Sequence, residues 1–60
     1  MEELTVKCIN DLRVDNLFYI KGHEYQADNY PLFVCVYNNG GWRDYIYVTH
    51  EEFEKYFEYI

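Results

Sequence analysis

Positive charge is scarce in this chain: five Lys and Arg stand against eleven Asp and Glu, a formal net charge of −6. A protein that grips a phosphate backbone needs a basic footprint, and Lys7, Arg13, Lys21, Arg43 and Lys55 are scattered through the sequence. Direct nucleic-acid binding is therefore not expected. A negative field draws in basic protein surfaces instead, such as a DNA-binding channel; its plainer role is to keep an aromatic-rich chain soluble. No apolar run approaches the ~18 residues of a membrane span, and the Met-Glu-Glu start is acidic where a signal peptide is basic. A cytoplasmic protein without membrane association is expected. Only Cys8 and Cys35 are present, and in that compartment both are expected as reduced thiols within strands.

Length excludes a second class. Sixty residues make one domain, residues 1–60, and a chain this short buries only about 60% of its unfolded surface, which leaves little room for a deep catalytic pocket. Glycine and proline are also few, three and one, so turn signals stand out where they occur. What the chain has in excess is aromatics: eight Tyr, four Phe and one Trp. Such rings carry large contact area at low rotamer entropy, which serves a thin core and an interface equally well.

The strongest local signal is residues 31–48, two apolar runs joined by Asn39-Gly40, the pair that a type I′ hairpin turn prefers; Asn38 and Gly41 beside it allow a slightly longer loop. Its first arm places Leu32, Val34 and Val36 on one face and Phe33, Cys35 and Tyr37 on the other. Its second alternates Trp42, Asp44, Ile46 and Val48 against Arg43, Tyr45 and Tyr47. One face is expected in the core and the other as a tyrosine-rich surface.

Upstream, residues 4–9 alternate with Leu4, Val6 and Cys8 on one face, a half-buried strand. Asn10 to Asn16 is expected as a loop anchored by Leu12 and Val14. Residues 17–20 re-enter the core before a glycine reversal at Lys21-Gly22. His23–Asp28 is the next strand, with Tyr25 and Ala27 inward, ended by a turn over Asp28-Asn29-Tyr30-Pro31. At the other end, Thr49 followed by Glu52 is a capping box, and Val48 with Phe53 the matching hydrophobic staple. Phe53, Tyr56, Phe57 and Ile60 recur at helical spacing, while Glu51, Glu52, Glu54, Lys55 and Glu58 face water. The fold expected is mainly β: a small SH3-like antiparallel β-barrel of four to five strands with a short C-terminal helix, closure hiding the strand edges.

Catalytic and metal chemistry find little support. Cys8, His23, Cys35 and His50 are zinc-ligand types, but structural zinc sites take ligands in close pairs and here each stands alone. A nucleophilic thiol needs an electropositive, exposed setting, whereas both cysteines sit among apolar strand residues. Carboxylates are plentiful without a cleft to separate their pKa values, and Gly40-Gly41 precedes a strand and not the helix of a phosphate loop. No cofactor, no metal and no enzymatic activity are expected. Three binding readings remain: docking onto a protein, stacking of single-stranded nucleic acid on tyrosines, and capture of a proline-rich or edge-strand peptide in an aromatic groove.

Lys7-Cys8-Ile9, Lys21-Gly22-His23-Glu24-Tyr25, the Tyr37-Asn38-Asn39-Gly40-Gly41 turn and the closing Val48-Thr49-His50-Glu51-Glu52-Phe53-Glu54 stretch together resemble the short SH3-like barrel proteins encoded by phages and prophages of Gram-positive bacteria, over nearly the whole chain. The resemblance implies a protein that binds and disables a host factor, such as a restriction, CRISPR or other defence enzyme, or a replication or transcription protein. The lower charge density and the aromatic excess set it apart from acidic DNA mimics and favour hydrophobic docking. The expected partner surface is Tyr37, Trp42, Tyr45 and Tyr47 with the acids Asp44, Glu51, Glu54 and Glu58, and the expected partner is a host protein, such as a nucleic-acid-binding enzyme. A homodimer would use the same tyrosines.

Overall fold

The computed structural model describes residues 2–38 and 44–60. Within them the chain runs β1 (Glu2–Cys8), β2 (Leu12–Val14), β3 (Leu17–Tyr19), β4 (Glu24–Asn29), β5 (Val34–Tyr37), β6 (Tyr45–Val48), α1 (His50–Tyr56) and β7 (Phe57–Tyr59). It is mainly β with one short helix near the C-terminal end. Five strands form one antiparallel sheet in the order β6-β5-β4-β1-β7, and β2 and β3 form a separate hairpin. The described strands number seven where four or five were expected. The five-stranded sheet is open, with β6 and β7 at its edges.

Period-two alternation assigns the faces. Val6 and Cys8 of β1, Tyr25 and Ala27 of β4, Val34 and Val36 of β5, Ile46 and Val48 of β6 and Phe57 of β7 are buried together. The register sets Ala27 beside Val36 and Val36 beside Ile46 on that face. The β2–β3 hairpin and α1 add Tyr19 and Phe53 to the same core. The Tyr19 hydroxyl donates to the Val36 carbonyl at 2.7 Å, and the side-chain amide of buried Asn38 donates to the Phe18 carbonyl at 2.8 Å, so β3 is tied down at the end of β5. The Lys21-Gly22 reversal forms as expected, with Gly22 at φ 92° and open space where a Cβ would stand.

Three local expectations are corrected. The polar stretch before Asn16 is not a loop: Leu12, Arg13 and Val14 pair with Tyr19, Phe18 and Leu17, and Asp15 turns the chain at φ 54°. Asp tolerates that left-handed conformation because its short side chain can bond locally. Second, the turn after β4 is centred on Pro31 and Leu32, closed by the Tyr30 amide donating to the Phe33 carbonyl at 3.0 Å. Leu32 therefore lies outside the strand alternation and is 82% exposed, where a core position was expected. Asp28 and Asn29 stay in the ladder opposite Cys35 and Val34.

The third correction is the end of the helix. The capping box forms as expected, the Thr49 hydroxyl accepting from the Glu52 amide and the Glu52 carboxylate accepting from the Thr49 amide. The helix then stops at Tyr56, and Phe57 is extended at φ −137°, ψ 163°. A seven-residue helix has little stability of its own, whereas Phe57–Tyr59 gains ladder hydrogen bonds along β1, pairing Cys8 with Phe57 and Val6 with Tyr59. Phe57 reaches the core from a strand, and Ile60, expected on the helical stripe, is 71% exposed. The Asn39-Gly40 turn and Trp42 lie outside the described residues.

Thr49→Ala removes the acceptor of the capping box and is expected to cost about 1 kcal/mol, measured as a lower urea midpoint at unchanged slope. Val34→Ala is expected to lower that midpoint more than Tyr47→Ala, because only the first truncation opens a space inside the packed core. The reverse order would mean that the hairpin faces are assigned backwards.

Candidate protein-docking face

On the face of the sheet opposite the core, the same alternation gathers rings. Tyr37 and Tyr45 are register partners on β5 and β6, as are Cys35 and Tyr47. Their centroids form a continuous row: Tyr37 to Tyr45 at 5.9 Å, Tyr45 to Tyr47 at 5.3 Å, Tyr47 to Phe33 at 4.9 Å, all edge-to-face, and then Phe33 stacked on Tyr30 at 4.8 Å. These are the geometries that aromatic quadrupoles favour, so the rings hold one another in place. Tyr45 is 41% and Tyr47 60% exposed, while Tyr30, Phe33 and Tyr37 are half-buried.

Beneath the row lies a small polar layer. The Tyr37 hydroxyl donates to a carboxylate oxygen of Asp28 at 2.6 Å, and both Asp28 and Cys35 are buried. That hydrogen bond, with desolvation behind it, raises the Tyr37 phenol above its ordinary value. The neighbouring Tyr45 hydroxyl raises Tyr47. Burial raises the Cys35 and Cys8 thiols, the latter donating to the Asn10 carbonyl at 2.9 Å. Burial likewise raises Tyr19 in the core. The Tyr37 and Tyr47 hydroxyls of this face consequently hold their protons more tightly than a free phenol. Cys8 and Cys35 are free thiols on opposite faces of the sheet, so they do not face a common ion or each other.

The eight residues expected at the partner surface are brought together only in part. Tyr37, Tyr45 and Tyr47 form the row described, and Asp44 is exposed just before β6, its carbonyl accepting from the Asn38 amide at 2.7 Å. Glu51 and Glu54 are exposed on α1, and His50 Nε2 lies 3.0 Å from the Tyr30 carbonyl, which fastens the start of the helix beside the Tyr30 end of the row. Glu58 is misplaced by the helical reading. It lies on β7 opposite Lys7, at the far edge of the sheet from β6. Tyr30 and Phe33 were missed as members; Phe33 was already on the tyrosine side of the alternation, and Tyr30 needed the turn at Pro31-Leu32 to fold back on it.

Among the described residues no helix is long and apolar enough to cross a membrane, and no three His, Cys, Asp or Glu side chains cluster as a metal ion would require. Comparison with protein-family models, curated proteins and solved structures finds no match for the chain.

Phenols and thiols with raised folded-state pKa values contribute stability that is fully present below their unfolded values, 9.0 for the thiols and 10.0 for the phenols. That contribution is lost as pH rises beyond them, because the unfolded chain then releases protons that the fold retains. The urea midpoint is expected to be flat between pH 7 and about pH 8.5 and to fall steadily toward pH 11. Tyr37→Phe removes the hydroxyl that donates to the buried Asp28 carboxylate and is expected to cost about 1–3 kcal/mol at pH 7, read from the same titration.

Proposed function

We propose that this chain is a small non-enzymatic binding module of SH3-like architecture that docks onto another protein through the row Tyr30, Phe33, Tyr47, Tyr45 and Tyr37. The carrying observation is the exposure of Tyr45 and Tyr47 on a strand whose ring neighbours already hold them. Prearranged aromatic side chains lose little entropy on binding, which is why such rings dominate hot spots. The SH3-like reading is supported by the path of the chain: a hairpin in the first connection, a β4–β5–β6 meander, a short helix, and a last strand returning to β1.

The net charge of −6 steers the module toward a basic surface. Together with the resemblance to phage and prophage proteins, that favours a host defence or nucleic-acid-processing enzyme as the partner and inhibition as the outcome. The same charge disfavours single-stranded nucleic acid, which would find stacking rings but few cations.

The test is affinity capture from a Gram-positive lysate, with the native chain and a Tyr45→Ala/Tyr47→Ala variant checked by circular dichroism for an intact fold. One protein retained at moderate salt by the native chain and lost by the variant is expected. Truncating a hot-spot ring costs about 2 kcal/mol or more, roughly thirtyfold in affinity. Recovery of nucleic acid alone, released steeply as salt rises, would overturn the reading.

A further inference from the structure

We propose that the free edge of β6 accepts an extended polypeptide segment as an added antiparallel or parallel strand, and that this segment alternates apolar residues with Lys or Arg. The proposal deepens the function above and shares with it only the premise that the ligand is polypeptide.

Among the described residues β6 is paired on one side alone, with β5, and so ends the five-stranded sheet. The Asn38 amide donating to the Asp44 carbonyl at 2.7 Å sets the phase of that ladder. In an antiparallel pair hydrogen-bonded and non-hydrogen-bonded partners alternate, so Val36/Ile46 and Val34/Val48 exchange the ladder bonds. The N–H and C=O groups of Tyr45 and Tyr47 then point away from β5, to the open side. Strand-adding ligands engage backbone groups of this kind.

A cleft of 490 Å³ lies along that side, within the ~300–1,000 Å³ of ordinary ligand sites. All four residues of β6 line it; since successive side chains point to opposite faces, it is the strand edge that forms the wall. The β2–β3 hairpin supplies Leu12, Val14 and Leu17, and α1 supplies Tyr56. These are the half-buried hydrophobics that pack against the core. The core thus opens to solvent here, beside a row of outward-pointing backbone groups.

Charge selects the occupant. Asp15 and Glu52 are exposed on the cleft walls, and among the described residues that line it none is Lys or Arg. A second copy of this acidic chain would bring the same two carboxylates against their equivalents, whereas a cationic segment would neutralise them. Apolar residues at alternate positions would cover Leu12, Val14 and Leu17, and the basic residues between them would meet Asp15 and Glu52.

The test pans a displayed library of random eight-residue peptides against the full chain, then titrates the most enriched peptide into isotopically labelled protein while amide hydrogen exchange is followed. Enriched peptides are expected to alternate apolar residues with Lys or Arg. The chosen peptide is expected to slow exchange at the Tyr45 and Tyr47 amides at least tenfold, and Asp15→Asn to weaken it severalfold. The absence of any enriched sequence would overturn the proposal. So would a peptide that leaves those two amides unprotected, or protection that appears without peptide as protein concentration rises, the signature of self-pairing. Failure of the ring row to capture a partner would leave this outcome untouched, since the edge amides report on the edge alone.

Discussion

β1 is paired on both sides by segments distant in the chain, β4 on one edge and β7 on the other, and the rest of the architecture depends on that arrangement. A strand with both edges occupied leaves few of its backbone groups to be satisfied by water, and in a domain of this size continuous sheet hydrogen bonding offsets what a thin core does not supply. Pairing with β7 converts residues 57–59 from helix to strand, brings Phe57 into the core and carries Glu58 to the edge opposite β6. Pairing with β4 directs the β4–β5–β6 meander outward on the other side, so that β6 ends the sheet.

The aromatic excess resolves into two sets with different chemistry. In the core, Tyr19, Tyr25 and Phe57 meet edge-to-face at 4.9–6.4 Å. There the two hydroxyls are occupied, Tyr19 donating to the Val36 carbonyl and Tyr25 accepting from the Ile20 amide. On the outer face the rings pack equally closely, but Tyr45 and Tyr47 remain open to solvent. Tyrosine serves both because its ring is apolar and its hydroxyl finds a partner in either setting. Strand parity decides the set to which each ring belongs.

The outer row and the β6 cleft meet at Tyr45 and Tyr47, whose rings belong to one and whose backbones border the other. A partner engaging the row would meet aromatic surface over a half-buried Asp28–Tyr37 hydrogen bond. One entering the cleft would meet backbone donors and acceptors beside half-covered core. The two surfaces differ in what they would ask of a ligand, shape in the first case and an extended main chain in the second.

Alternation in residues 4–9, 23–28 and 31–48, with the Thr49–Glu52 cap, was enough to place β1, β4, β5, β6 and the start of α1. It also put Tyr37, Tyr45 and Tyr47 on the face away from Val36 and Ile46. Each of those features is local, set by side-chain period or by a hydrogen bond three residues away. The β2–β3 hairpin was legible in principle from Asp15-Asn16 between Leu12/Val14 and Leu17/Tyr19, but its polar composition resembles a loop. Tertiary structure alone decided that Phe57–Tyr59 would be a strand, that Leu32 would turn outward, that Tyr30 would join the ring row and that β6 would end the sheet. These depend on which distant backbone lies alongside, and a ladder of hydrogen bonds along β1 outweighs the weak preference of a few residues for helix.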